Sequence, residues 1–234
     1  GGIFSQAGDG VLELTNSTLS GNEATHTGGG LSAQGGVVTL VHVTVANNKA
    51  TTRGGGLFNG GGAISLSNSL IANNTAPAGD QVAGPGISNS RSFIGDDPML
   101  SPLGDFGGPT QTHLPMEGSA ALEAGDNAAA SGLATDQRGF TRIVGLVDLG
   151  SVEMIMLGEG VHTLTLAGAE EDEAITGDLD ITRSVTIMGA GSGTVIDASA
   201  LGDRVFEVFG SIEVRLANLT ILGGTAEDGG GLMN

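Results

Sequence analysis

One spacing of 26 residues recurs through the first third of this chain and constrains its fold more than any other feature. Asn22, Asn48 and Asn74 keep this spacing. Three further sets of positions keep it as well: Leu14, Leu40 and Leu66; Leu19, Val45 and Ile71; Gly28 and Gly54. Four independent sets at one spacing indicate an internal repeat, because chance similarities would drift by a residue or two.

Apolar and polar residues alternate within each repeat, which is typical of a β-strand. Val38, Leu40 and Val45 are apolar, whereas Thr39 and His42 are polar. Short strands between turns rich in glycine or asparagine, repeated every 26 residues, fit the coils of a parallel β-helix. A single coil cannot bury its inner face, whereas stacked coils can. The repeat therefore predicts an all-β solenoid.

The composition agrees with this fold. The chain has 234 residues, of which 39% are hydrophobic, so it is long enough to bury a core. It contains 43 glycines and no Trp, Tyr or Cys, so the core must consist of Val, Ile, Leu and Ala in repetitive packing. Apart from a turn or two of helix around residues 119–134, no segment shows a helical period.

The turns of the repeat carry two further predictions. The recurrent asparagines should lie one above another, either as a ladder of side-chain amides or because Asn tolerates a left-handed backbone. The triple glycines before Leu31 and Leu57 should turn a corner of the coil with positive φ.

The same pattern returns at the far end of the chain. Leu216 stands where Leu40 stood, and Leu232 stands where Leu57 stood. The first residues, "GGIFS", and the last, "GGGLMN", both resemble the corner of an unfinished coil. We predict that these corners are stacking ends, formed by Gly1, Gly2, Ile3, Phe4, Gly229, Gly230, Gly231, Leu232, Met233 and Asn234.

Charge excludes some classes of partner. Eight Lys and Arg against 26 Asp and Glu give a net charge of −18, which repels nucleic acid and anionic lipid. No apolar run approaches the ~20 residues of a membrane-spanning helix, so we expect no membrane insertion. The four histidines lack the spacing of zinc ligands; they are His26, His42, His113 and His162.

Residues 96–153 resemble the choice-of-anchor Q segment found at the C-terminus of bacterial β-helix proteins. The resemblance rests on a Gly-Gly-Pro-Thr motif at 107–110, on "GSAALEAG" at 118–125, on "DQRGFTR" at 136–142, and on Asp148, Gly150 and Glu153. The central motif departs mildly from the family, which usually has Pro before Ala and an Ile-Asp pair.

Residues 158–234 are similar to the N-terminal part of bacterial β-helix proteins that open with a CSLREA domain, although the motif that names this domain is missing. Together the two resemblances imply a secreted, right-handed, single-stranded parallel β-helix of pectin-lyase-like shape in a bacterial surface protein. The family order is reversed here, as in a tandem array cut within a module. We expect regular coils in 1–95, the anchor-Q-like segment in 96–153 and further coils in 154–234, as one continuous solenoid.

Candidate sites for chemistry are few. Lys49 and Arg53 lie in a turn without a nearby acidic cluster, and Asp178 and Asp180 more readily cap a turn than act as an acid–base pair. We therefore predict no catalytic residue and no organic cofactor. Ca²⁺ is the one candidate ion, because oxygen ligands suit it; a solvated acidic loop is the alternative. Its candidate ligands are Glu170, Glu171, Asp172, Asp178 and Asp180.

These observations favour a structural protein rather than an enzyme. We expect an extracellular β-solenoid module at the bacterial cell surface whose partner is another copy of itself, stacked head to tail into a filament or stalk. The modules would be either covalently linked or only stacked. One alternative is a carbohydrate-active enzyme, such as a polysaccharide lyase or hydrolase, or a glycan-binding adhesin. Another is an ice-binding β-helix, for which Thr18 and Thr44 align while Leu70 interrupts the column.

Overall fold

A computed structural model describes residues 1–6, 8–166, 176–191, 193–227 and 229–233. The chain forms two compact units, Gly1–Glu153 and Met154–Asn234. Both consist of parallel strands stacked into coils, so the predicted all-β solenoid is confirmed.

Unit 1 contains twelve short strands and one helical turn. The strands are β1 (Ile3–Ser5), β2 (Val11–Ser20), β3 (Glu23–Ala24), β4 (Leu31–Ala33), β5 (Val37–Ala46), β6 (Lys49–Ala50), β7 (Leu57–Asn59), β8 (Ala63–Ser67), β9 (Leu70–Ala72), β10 (Val82–Ala83), β11 (Ile87–Ser90) and β12 (Phe93–Gly95). The turn is helix α1 (Asn127–Ala130), which lies in the region where the sequence predicted one.

Strands of successive coils pair in parallel at the register that the repeat predicted. One sheet has the order β1-β4-β7-β10. In a second sheet β5 lies between β2 on one side and β8 and β9 on the other, and β3 pairs with β6 in a third. Leu40 is paired with Leu14 and with Leu66, its counterparts one repeat away. Strands β11 and β12 add a fourth, shorter coil on β8 and β9.

The core of unit 1 is a set of aliphatic columns inside the coils. Leu31, Leu40, Val45 and Leu57 are fully buried, and their counterparts in neighbouring coils lie directly above or below them. Each coil therefore supplies the floor for the next one, and burial of the apolar side chains depends on the stack.

The recurrent asparagines form a ladder of side-chain amides. Asn22 Nδ2 donates to Asn48 Oδ1 at 2.9 Å, and Asn48 Nδ2 donates to Asn74 Oδ1 at 2.9 Å. The same Oδ1 atoms also accept the backbone N–H of the preceding asparagine. Gln81 closes the ladder, because its Oε1 accepts from Asn74 and its Nε2 donates to Asp96. Of the two explanations offered by the sequence, the amide ladder is confirmed.

The left-handed backbone belongs instead to the residue before each ladder asparagine. Gly21, Asn47 and Asn73 have φ of 69°, 58° and 55°. The triple glycines also contain a left-handed corner, at Gly28 and Gly54, as predicted. The glycines that follow are required for close approach, since a Cβ on Gly29 would lie 2.3 Å from the carbonyl oxygen of Gly55.

Residues 96–153 do not repeat and cover one flank of the coils in unit 1. The side chain of Asn68 exchanges two hydrogen bonds of 2.8 Å with the backbone of Asp126, just before helix α1. Thr18 and Thr44 lie beneath the same segment, with Thr44 only 3% exposed, and their hydroxyls bond to Ser151. An ice-binding face would need an exposed column of threonines, and here residues 96–153 cover that column.

In its described residues, unit 2 contains nine strands in three parallel sheets of three. The strands are β13 (Ile155–Leu157), β14 (Gly160–Thr163), β15 (Leu179–Ile181), β16 (Val185–Gly189), β17 (Thr194–Asp197), β18 (Phe206–Val208), β19 (Val214–Ala217), β20 (Thr220–Leu222) and β21 (Leu232–Met233). Its core contains Ile187, Ile196 and Phe206. In the part of the chain that the structure describes, no helix is long and apolar enough to span a membrane.

The ladder makes Asn48 a test of the fold. Asn48→Ala removes donors to Asn74, Leu19 and Ala46 and leaves the amide of Asn22 without its acceptor, all in a buried position. We expect the free energy of unfolding to fall by about 2–4 kcal/mol. Denaturant unfolding followed by far-UV circular dichroism measures it.

Asn22→Ala is the matched control, because Asn22 lies in the edge coil and donates to only one neighbouring coil. We expect it to cost about 1 kcal/mol. Equal losses for the two variants would contradict a ladder in which interior rungs are held from both sides.

Candidate functional site

The first candidate site is the edge of unit 1 formed by β1, β2 and β3. Among the described strands, each of these pairs on one side only. Ile3 and Leu14 point into the column of the core and are partly exposed, whereas their paired counterparts Leu31 and Leu40 are fully buried. The cross-section of the coil stack is therefore open at this edge.

The amide ladder is open at the same edge. In the rungs below, Asn48 Oδ1 and Asn74 Oδ1 each accept two hydrogen bonds from the coil before. Asn22 Oδ1 accepts none from any described residue. Gly2 lies against the Asn22 amide as Gly30 and Gly56 lie against the amides of the next rungs. Gly1 and Gly2 therefore occupy the same corner as the later glycines, and an N–H donor one coil further on would continue the ladder.

The second candidate site is the edge of unit 2 formed by β19, β20 and β21. Each of these strands also pairs on one side only among the described strands. Leu216 and Leu232 are partly exposed, although their paired counterparts Ile187 and Phe206 are 8% and 1% exposed. A cavity of about 410 Å³ lies at this edge, lined by Val208, Ile212, Glu213, Val214, Leu216 and Leu232.

The corners of this edge coil repeat those of unit 1. Asn218 is left-handed with φ of 55°, as is His42 at the equivalent position with φ of 52°. Gly223 and Gly229 are left-handed, with φ of 77° and 59°. Their counterparts in unit 1, Asn47 and Gly54, have φ of 58° and 61°. The predicted end residues Gly229, Gly230, Gly231, Leu232 and Met233 lie at and just before β21, while Asn234 lies outside the described residues.

A third candidate is a cluster of buried charges inside residues 96–153. Arg138 and Asp136 form an ion pair of 2.7 Å, and the Arg138 guanidinium stacks 4.4 Å from the centre of the Phe140 ring. Arg142, which is fully buried, donates to Asn16 Oδ1 at 3.0 Å and to the carbonyl of Gly150 at 2.8 Å. The Arg142–Asn16 hydrogen bond fastens the segment to the left-handed corner of the first coil.

Glu153 and Asp148 complete this cluster. The Glu153 carboxylate accepts the N–H of Asp148 at 2.9 Å and lies 3.8 Å from the Arg142 guanidinium. Burial, together with the Asp148 charge, raises the pKa of Glu153 to about 8. Burial also lowers the pKa of Arg142 to about 10, against the attraction of the surrounding carboxylates.

His42 lies beside this cluster, and its imidazole is neutral. Asn68 is oriented by its two bonds to the Asp126 backbone, so its Nδ2 donates to His42 Nε2 at 3.0 Å. Burial, reinforced by the Arg142 charge, lowers the pKa of His42 to about 3. Stability contributed by neutral His42 is present above about pH 6.5 and is lost as the pH falls towards 3.

The motif residues behind the anchor-Q resemblance are the residues that build this cluster. Asp136, Arg138, Arg142, Asp148 and Glu153 are all at most 4% exposed. Their carboxylates and guanidinium groups are turned inward, where a substrate cannot reach them. The cluster therefore holds the covering segment in place rather than presenting groups for chemistry at a surface.

The acidic candidates of unit 2 are only partly described. Glu170, Glu171 and Asp172 lie outside the described residues, so the structure says nothing about their place in an ion site. Asp178 and Asp180 lie together with Glu207, and one carboxylate oxygen of each falls within 4.8 Å of the others. Glu207 is not among the ligands predicted from the sequence, because it belongs to the next coil. The signal that could have found it is the coil register, which pairs Asp180 with Glu207.

No protein-family model, curated protein or solved structure matches this chain. The resemblance to CSLREA and choice-of-anchor Q proteins accordingly stays a prediction from the motifs alone.

The raised pKa of Glu153 predicts how stability depends on pH. Because the pKa is about 8 in the folded state and about 4.5 ordinarily, folding favours the protonated carboxyl. This contribution is fully present below about pH 4.5 and is lost as the pH rises to about 8. The side chain of the Glu153→Gln variant cannot ionise. As the pH rises from about 4.5 to about 8, the unfolding free energy of the natural chain should therefore fall by about 1–3 kcal/mol more than that of the variant.

Circular dichroism melts across this pH range measure the difference, with the exposed Glu117→Gln as the control. Parallel pH profiles for the natural chain and the Glu153 variant would contradict the account.

Proposed function

We propose that this chain is a non-enzymatic structural module of an extracellular bacterial β-solenoid, and that its modules stack head to tail into a filament or stalk. One observation carries the proposal. The edge coil of unit 2 has left-handed corners at the same positions as the coils of unit 1, and the aliphatic side chains of both edges are partly exposed where interior coils bury theirs.

Unpaired strand edges are costly unless they are blocked. Proteins commonly blunt an edge with proline, inward-facing charges, bulges or a covering segment. The strands of the two edges contain no proline, and each edge includes a strand without any charged residue, β1 at one and β21 at the other. At the edge of unit 1, Phe4 is 64% exposed, whereas its paired counterpart Ser32 in the next coil is 4% exposed. Pairing with another coil would cover Phe4 and satisfy the free N–H and C=O groups.

Pairing of one edge with the other is a heterologous contact. Such a contact uses two different surfaces of the same molecule, so every added copy presents a new free edge and the assembly grows without closing. The net charge of −18 would keep the flanks of neighbouring filaments apart while the apolar edges pair. We propose the location at the bacterial surface from the motif resemblance alone.

The test is whether the purified chain polymerises. We expect light scattering after size-exclusion chromatography to show a mean mass that rises continuously with concentration, and electron microscopy to show unbranched rods. Discrete single-module particles at every concentration would contradict self-assembly.

Ile3→Lys places a charge in the open column at the edge, so we expect it to raise the concentration at which rods appear by about tenfold or more. Val37→Lys is the matched control, because Val37 is 45% exposed on β5, a strand that is paired on both sides. Circular dichroism shows that both variants are folded before their assembly is compared. Equal effects of the two substitutions would count against the edges as the assembly surface.

A further inference from the structure

We propose that Asp178, Asp180 and Glu207 bind a divalent cation, Ca²⁺ in preference to Mg²⁺, and that this ion joins two adjacent coils of unit 2. Asp180 on β15 and Glu207 on β18 are direct partners in the parallel register, so their carboxylates lie side by side in neighbouring coils. One oxygen from each of the three side chains lies within 4.8 Å of the other two. Two oxygens that share an ion at about 2.4 Å can be at most about 4.8 Å apart, and the three oxygens meet this condition for sharing one Ca²⁺.

The buried carboxylate of Asp178 is the second observation. Asp178 is 4% exposed, and its Oδ2 has no hydrogen bond. Arg204 Nε lies 3.7 Å from Asp178 Oδ2, so the two side chains form an ion pair that is too long to be a hydrogen bond. A buried carboxylate oxygen without a hydrogen bond is unfavourable, so a ligand that supplies positive charge at short range is expected there.

The charge of the cluster points to a divalent ion. Asp203 is also buried, and its charge acts on Asp178, as does that of Asp180. These three aspartates and Glu207 carry four negative charges when ionised. Arg204, which is hydrogen-bonded to Glu207, supplies one positive charge. A divalent cation would neutralise most of the remainder.

The ligand chemistry favours Ca²⁺. The three groups offer oxygen atoms only, whereas zinc prefers nitrogen and sulfur ligands. Asp180 and Glu207 are partly exposed, so water can complete a coordination sphere of six to eight oxygens. Mg²⁺ needs a tighter octahedron and gives up its waters reluctantly, so it should bind more weakly here. The site stands independently of the proposed stacking, because it lies between β15 and β18 within unit 2.

Calcium titration of the full chain tests the site. After dialysis against a chelator, isothermal calorimetry with CaCl₂ should show one site with a dissociation constant of about 10⁻⁴–10⁻³ M, the range of extracellular modules. The melting temperature should rise with Ca²⁺ and rise less with Mg²⁺ at equal ionic strength. Glu207→Gln and Asp178→Asn should each weaken Ca²⁺ binding by about tenfold or more, whereas the exposed Glu213→Gln should leave it unchanged.

Three results would overturn the proposal. The first is equal stabilisation by Ca²⁺ and Mg²⁺ at matched ionic strength, which would indicate screening of the net charge. The second is a Ca²⁺ response in Glu207→Gln that equals that of Glu213→Gln. The third is a natural chain that shows neither binding heat nor a rise in melting temperature with Ca²⁺. Glu207 is more exposed than Asp178, so its substitution is less disruptive. If Asp178→Asn does not fold, Ca²⁺ binding by Glu207→Gln tests the site.

Discussion

A buried side-chain amide must find hydrogen-bond partners at a fixed distance, and in this fold the partner is the same amide one coil away. The side-chain amides of Asn22, Asn48 and Asn74 are hydrogen-bonded from coil to coil, and Asn48 Oδ1 and Asn74 Oδ1 each also accept a backbone N–H. The ladder fixes the register of the strands, because a slip of one residue would leave several buried polar groups without partners. The aliphatic columns and the left-handed corners depend on that register.

The covering segment follows a different physical rule. Residues 96–153 lack a repeat, so they cannot use columns of like side chains, and they are held by a few buried charges. Replacing both partners of a buried ion pair by apolar groups is often neutral, whereas removing one partner is costly. The Asp136–Arg138 pair therefore contributes mainly to the conformation of the segment itself, and the Arg142–Asn16 contact to where the segment lies on the coils.

The sequence predicts the repeated part well and the rest poorly, for a physical reason. Leu14, Leu40 and Leu66 repeat, so their alignment in space can be read from their spacing. The left-handed Asn47 and Asn73 also repeat, yet which of two adjacent asparagines turns the corner is decided by the backbone. Glu207 was missed because the acidic residues before it suggested a local loop, whereas the cluster forms across coils. The contact of Arg142 with Asn16 joins distant parts of the chain without any periodic signal.

The central claim is that pairing of coil on coil continues beyond the edge strands of unit 1. Hydrogen exchange followed by mass spectrometry tests it most directly, because backbone amides in paired strands are protected. In dilute protein, amides of β1 and β2 should exchange at least about tenfold faster than those of β5, and they should become protected as the concentration rises. Exchange in β1 and β2 that does not change with concentration, while β5 stays protected, would contradict the claim.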